Sequence, residues 1–386
     1  MSIFQKTVIN QHLVCLDNEK LEKAYKEFQI KYTRIKIEKI KKLKEEEYQD
    51  GFLRDIFVST LDYILKPDND YNLVREFKNQ SNGKKADGAI LKDGKAIAVI
   101  ELKSTKTKDL KSITEQAFNY KNNQPDCKYV ITSNFRKLRF YVEYANEYEE
   151  FDLFNLNKEK FELLYLVLSK DNLFADIPLK IKNQSTAHSE NISKKLYKQY
   201  SVFKNNLFNN LVTNNPEHDK LVLFKKSQTL IDRFLFILFA EDRGLLPPNS
   251  IKRIIERFDI LKREDAYKPI YDIYKQYFNY MNIGREGEDY INNIPAYNGG
   301  LFYPDELLDN LVIDDDILID DLTGLSVYDF NTEVDVNILG HIFEHSLSEI
   351  EEVTAENKGT VADKSKSRRK KDGVFYTPKY ITQYCG

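Results

Sequence analysis

An α/β domain followed by a mainly α-helical domain is the fold class this sequence predicts. Three observations carry it: helical periodicity gives way to strand periodicity after residue 83, an Asp93-Gly94 turn joins two apolar runs, and nearly everything beyond residue 192 returns to helix. From Glu19 to Leu65, Lys, Glu, Leu and Ile recur at three and four spacing, which predicts one long or two consecutive helices. The tract Lys66 to Gly83 is polar and broken by Pro67, Asp68, Asn69 and Asp70, so it reads as loop. Ala86 to Leu91 and Ala96 to Leu102 then read as two strands, because Asp-Gly between alternating apolar residues is the strongest short-range hairpin signal. Asp109 to Lys121 is helical in period, and Lys128 to Thr132 and Leu138 to Tyr144, rich in Val, Ile, Tyr and Phe, read as two further strands.

Phe151 to Leu173 reads as a helical appendage, and the polar stretch Ile181 to Ile192 as the domain boundary. Helices are then expected over Ser193 to Thr213, Asp219 to Ala240, Ile251 to Arg263, Ile270 to Met281 and Asp335 to Glu352, with Gly244, Pro247 and Pro248 as punctuation. The segment Asn357 to Asp372 is polar and dense in Lys and Arg, the composition of a solvated linker. The expected organisation is therefore residues 1–182, 183–356 and 357–386.

Composition bounds the function. The chain has 386 residues, enough for two domains with separate cores. Its 58 basic and 61 acidic side chains leave a formal charge of -3, so overall charge does not announce a nucleic-acid partner, although a local basic channel is compatible with it. Aromatics at 13%, spread along the chain, exclude disorder on that scale. The longest apolar run, Phe234 to Ala240, is far short of the roughly 20 residues of a bilayer span, and the first ten residues lack the basic and apolar regions of a signal peptide. Cys15, Cys127 and Cys385 are too few and too scattered for a disulfide framework. A cytoplasmic protein with no membrane association is expected.

Chemistry concentrates in the hairpin. Asp87 begins one strand, and Val99-Ile100-Glu101-Leu102-Lys103 ends the other, with Glu101 and Lys103 on one face while Ile100 and Leu102 turn to the core. A carboxylate at the end of an apolar strand is costly to desolvate and needs solvent or an ion. Asp87 and Glu101 can share one hard divalent cation, with the Leu102 carbonyl as a further oxygen, and magnesium is the expected metal. Lys103 would then orient or help deprotonate the attacking water and stabilise charge on a phosphoryl group. The Glu-x-Lys triplet also occurs at Glu76-Phe77-Lys78 and Glu356-Asn357-Lys358 without strand context, so the specificity lies in the whole arrangement, in which the next helix carries Gln116 and Tyr120 one turn apart.

Over roughly residues 40 to 145 this arrangement resembles the PD-(D/E)xK nuclease fold, a mixed sheet flanked by helices. That family's Asp, Glu-x-Lys and helix Gln match Asp87, Glu101, Lys103 and Gln116, with Tyr120 in a supporting position. Ala86 stands where the family often has Pro. Some members add a first-helix Glu to the metal shell, and Glu45, Glu46 and Glu47 are equal candidates.

A second resemblance lies at the far end. Gly373-Val374-Phe375-Tyr376-Thr377-Pro378-Lys379-Tyr380 brackets aromatics and a Thr between Gly and Pro and is similar to motif X of adenine-N6 DNA methyltransferases, which lines the S-adenosylmethionine pocket. The resemblance implies cofactor contacts from Phe375, Tyr376, Thr377 and Pro378. Together with Leu230 to Phe234, Phe239 to Pro247, Pro295 to Phe302 and Asp335 to Glu344, it resembles the amino-terminal half of type IIG restriction enzymes, which fuse nuclease, helical connector, methyltransferase and target-recognition domains. No glycine-rich cofactor loop or Asn-Pro-Pro-Tyr segment follows motif X here, so methyl transfer and target recognition are expected to lie outside this chain. What the resemblance implies is magnesium-dependent cleavage of double-stranded DNA, with transient dimerisation on DNA to cut both strands.

Two other readings compete. One is a non-catalytic fragment of an adenine-specific DNA methyltransferase that binds DNA or another subunit through its helical domain. His341-Ile342-Phe343-Glu344-His345 also spells His-x-x-Glu-His, an inverted zinc-peptidase pattern. Against zinc, a third protein ligand is required, and Ile338, Leu339, Ile342, Phe343 and Leu347 make the segment an ordinary packing helix.

Overall fold

The computed structural model describes residues 3–78, 85–287, 292–297 and 299–334, together with residues 338 and 342. Four short helices open the chain: α1 (Lys6–Leu13), α2 (Asn18–Lys31), α3 (Arg34–Ile40) and α4 (Glu45–Phe52), the last continuing into a π-helical turn over Leu53–Val58. Polar residues set the breaks between them. Asp17 accepts hydrogen bonds from Glu19 N and Lys20 N, Thr33 accepts from Lys36 N, and the Glu47 carboxylate accepts from Lys44 N. The expected long helical stretch is thus divided by side-chain caps.

The strands β1 (Leu73–Lys78), β2 (Lys85–Lys92), β3 (Lys95–Leu102), β4 (Tyr129–Ser133), β5 (Lys137–Val142) and β6 (Glu149–Asp152) form one sheet in sequence order. Every pairing is antiparallel except β3 with β4, which are parallel and joined through α5 (Lys111–Asn122). Asp93 and Gly94, both at positive φ, make the β2–β3 turn, which fits the backbone that Asp-Gly favours. Strand β1 falls in the tract read as loop. It is the edge strand beside β2, and Arg75, Glu76 and Lys78 leave it without an apolar alternation. Strand β6 takes Phe151 and Asp152 from the segment read as a helical appendage, most of which forms α6 (Lys158–Leu168) and α7 (Lys170–Phe174).

The two faces of the sheet differ. Ile90, Ala98, Ile100, Leu102, Tyr129, Ile131, Phe140 and Val142 join the main core, which also holds Phe28, Phe52, Phe57 and Phe161 from the helices. Val99, Val130 and Tyr141 pack with Ala117 and Tyr120 of α5 in a smaller second cluster. Glu101, two residues along from Val99, belongs to this second face.

The chain divides into two compact units, residues 1–187 and 188–386. This division falls inside the polar stretch 181–192, where a boundary is expected, and the stretch itself is helical: α8 (Ile177–Asn214) runs through it, with Asn183, Thr186 and Asn191 exposed and Ser185 buried, where it accepts from Gln5 N. The second unit is built from α8 together with α9 (Lys220–Asp242), α10 (Ser250–Arg263), α11 (Ile270–Ile283), α12 (Glu306–Asn310) and α13 (Asp315–Leu325). Phe234 anchors its core, with ring centroids 4.9 Å from Tyr274, 5.6 Å from Phe278 and 6.2 Å from Phe203. The helix expected over residues 335–352, the 357–372 linker and the segment 373–380 lie outside the described residues, apart from Ile338 and Ile342.

Phe140 is fully buried and stacks on Tyr129 at 5.6 Å. Phe140→Ala is expected to destabilise the first unit by about 3–5 kcal/mol, read as an earlier denaturation midpoint in guanidinium.

Candidate functional site

Strand β3 carries Glu101 to the centre of the sheet, where it pairs across to Thr132 of β4. The residue is 1% exposed, so its charge has little solvent. Oε1 accepts a hydrogen bond from Gln116 Nε2 of α5 at 2.6 Å and an ion-pair contact from Lys103 Nζ at 3.4 Å. Oε2 is buried with no hydrogen-bond partner. Gln116 also donates to Tyr120 OH at 3.3 Å, so the one-turn pair on α5 acts on Glu101 through its amide.

Asp87 enters from β2. Its Oδ2 accepts from Leu102 N at 2.7 Å, and its Oδ1 from Gln49 Nε2 at 3.1 Å. Lys103, immediately beyond β3, gathers the remaining oxygens: Nζ donates to Leu102 O at 2.9 Å and to Glu45 Oε1 at 3.0 Å. The expected quartet Asp87, Glu101, Lys103 and Gln116 is therefore brought together, with Tyr120 behind it.

Of the first-helix carboxylates, Glu45 reaches the cluster, through Lys103. Of the three equal candidates, Glu47 is spent on the backbone of Lys44, and Glu46 is exposed. Sequence reasoning did not single out Gln49, which bridges Glu45 Oε1 at 3.3 Å and Asp87. A signal for it exists: Gln49 lies four residues after Glu45 on the same face of α4.

Electrostatics follow from this crowding. Burial pushes the Asp87 carboxyl above its ordinary value against the pull of Leu102 N and Lys103. Burial and then the Asp87 charge push Glu101 up to about 7. Burial works against the Lys103 ammonium, but Glu45, Glu101 and Asp87 outweigh it and hold its pKa above the ordinary lysine value. Three carboxyls thus surround one ammonium. An excess of negative charge, a set of hard oxygens and the partnerless Glu101 Oε2 suit a divalent cation that takes one or two carboxylates, a carbonyl and water. Among the described residues, no group of three or more His, Cys, Asp and Glu side chains is arranged to hold a metal ion.

The surroundings are basic. Lys41, Lys42 and Lys44 precede α4, Lys106 and Lys108 follow β3, and all five are exposed. Thr105 Oγ1 donates to Lys41 O at 3.3 Å, which brings the two basic loops side by side at the rim of the carboxylate cluster.

Comparison with known proteins agrees with this organisation. Residues 4–149 match the family described as type I restriction enzyme R protein N terminus, and residues 225–302 match MmeI, helicase spacer domain. A Methanocaldococcus jannaschii protein named as a type II restriction enzyme and methyltransferase is 26% identical over 314 residues, which is 74% of this chain and 24% of that relative. Over these stretches the chain is similar to proteins of restriction-modification systems. It spans about a quarter of the relative's length, and no solved structure matches it.

Every residue of the carboxylate cluster lies inside the stretch that matches the type I restriction enzyme R protein N terminus. Phe375, Tyr376, Thr377 and Pro378 lie outside the described residues, as do His341, Glu344 and His345 of the zinc-peptidase pattern. Among the described residues, no helix is long and apolar enough to cross a membrane.

The raised Glu101 pKa carries a cost in stability. The folded state holds a proton up to about pH 7, whereas an unfolded Glu releases it near its ordinary value of 4.5. Stability from this group is therefore full below about pH 4.5 and is lost as pH rises through 7. Glu101→Gln in EDTA is expected to raise the melting temperature of the first unit by roughly 3 °C or more at pH 8, with the gain shrinking at pH 5. Thermal melts at the two pH values check it, and an equal or reversed effect contradicts it.

Proposed function

We propose that the first unit is a magnesium-dependent endonuclease of the PD-(D/E)xK kind that hydrolyses phosphodiester bonds of double-stranded DNA, within a type IIG-like enzyme. The observation that carries this reading is the buried Glu101 with its partnerless Oε2, set beside Asp87, Leu102 O and Lys103 at the end of a central strand. Asp87 and Glu101 would hold the cation, with the Leu102 carbonyl, and Glu45 stands next to them through Lys103. Magnesium there would supply Lewis-acid stabilisation of the phosphoryl oxygens and acidify water.

The chain's own residues do the rest. Leu102 N fixes the Asp87 carboxylate, and Gln116, backed by Tyr120, fixes that of Glu101. Lys103 is held protonated by three carboxyls, so it acts as a cation that orients the attacking water and stabilises charge on the phosphate, rather than as the base. The rim lysines Lys41, Lys42, Lys44, Lys106 and Lys108 receive the flanking backbone phosphates. Cleavage of both strands at once requires two such sites, so a transient dimer on DNA belongs to this reading. S-adenosylmethionine enters it through the motif X resemblance of residues 373–380.

Supercoiled plasmid is the test, incubated with magnesium or with EDTA, each with and without S-adenosylmethionine. Metal-dependent nicking or linearisation is expected, reduced about 100-fold or more by Lys103→Ala and by Asp87→Asn, and roughly 10-fold by Gln116→Ala, which removes only a positioning amide. Duplex binding without cleavage under any of these conditions would favour the non-catalytic DNA-binding reading instead.

A further inference from the structure

Between α10 and α11 of the second unit lies a cavity of about 170 Å³ whose lining includes Arg253, Arg257 and Arg285 above the buried Ile254, Ile273 and Ile294. Arg253 and Arg257 are four residues apart on α10, so their guanidinium groups share one helix face. Like charges at this spacing repel, and among the described residues none of the three arginines forms an ion pair that would offset the repulsion. Neutral groups hold them instead. Arg253 donates to Asn292 Oδ1 at 2.9 Å, Arg257 donates to Gln276 Oε1 at 3.3 Å, and the Arg285 guanidinium lies 4.8 Å from the centre of the Tyr280 ring.

These partners aim the guanidinium groups without neutralising them. The half-buried Glu241 carboxylate accepts from Ser250 N at 2.7 Å, and Glu256 and Glu286 are exposed. All three arginines are exposed and line one small concavity, and guanidinium binds a tetrahedral oxyanion in a bidentate way. Size narrows the ligand. The cavity is smaller than the roughly 300 to 1,000 Å³ of sites that enclose a whole small molecule. It can seat one phosphate rather than a complete nucleotide cofactor, a chemistry that free phosphate and the backbone of a nucleic acid share.

We propose that this pocket is a phosphate clamp for the backbone of double-stranded DNA, separate from the catalytic unit and indifferent to sequence. The choice of DNA rests on the restriction-nuclease reading above, whereas the anion chemistry rests on the arginines alone. The test uses the full chain in EDTA, with fluorescence anisotropy of several unrelated 30-base-pair duplexes at a series of salt concentrations. Arg253→Gln/Arg257→Gln is expected to weaken binding about 10-fold for every duplex and to reduce the salt slope by about 1. Arg253→Lys/Arg257→Lys should fall between the two, since it keeps the charge and loses the fork, and it remains informative if the Gln pair melts early.

Unchanged affinity and slope in both variants would overturn the proposal. So would a wild-type chain that binds no duplex, or binding of inorganic phosphate alone with no effect on DNA. Plasmid cleavage by the wild type reports the nuclease reading separately. Loss of binding in the Gln variant with no cleavage would keep the clamp and sink the nuclease, and cleavage with unaltered binding would do the reverse.

Discussion

Placing the Glu101 carboxylate inside a sheet, with almost no solvent, is the constraint on which the first unit depends. An isolated buried carboxylate is too costly to keep, so the fold surrounds it with a fixed amide from Gln116, an ammonium from Lys103 and a proton affinity raised to about 7. One oxygen is still left without a partner. A group that is expensive in the free protein and suited to a cation is what a metal-dependent site requires, and it trades stability for function.

The rest of the unit supplies that environment. The parallel β3–β4 pair, with α5 as its crossover, puts Glu101 at the end of a central strand and brings Gln116 across to it. The two-residue hairpin sets Asp87 against Leu102 N, and α4 adds Glu45 and Gln49 from the other side. Two lysine-bearing loops meet at the rim through Thr105 and Lys41. An overall charge of -3 therefore conceals a local arrangement in which an acidic centre is bordered by cations. In the second unit, Arg253, Arg257 and Arg285 line a cavity beside α10 and α11.

Much of this was legible in the residues, for reasons that differ by element. The β2–β3 hairpin was readable because Asp93-Gly94 demands a tight turn, and alternation on β3 separated Glu101 from Ile100 and Leu102. Strand β1 was not, because an edge strand carrying Arg75, Glu76 and Lys78 has no apolar period to read. The polar run at 181–192 does contain the division between the units, but local composition did not show that the division falls within one long helix. Within the site, the choice among Glu45, Glu46 and Glu47 depended on which one the cap at Lys44 consumes, a three-dimensional fact. Gln49 contributes through a contact with Asp87 across 38 residues of sequence, beyond the reach of spacing arguments.

The central claim is that Asp87, Glu101 and the Leu102 carbonyl form a divalent-cation site. Anomalous diffraction from crystals of the full chain soaked in manganese tests it most directly. The account expects a peak bounded by both carboxylates and Leu102 O, with Lys103 Nζ moved off that carbonyl, and no peak in Asp87→Asn. Saturating manganese with no density between Asp87 and Glu101, or with density only elsewhere on the chain, would contradict it.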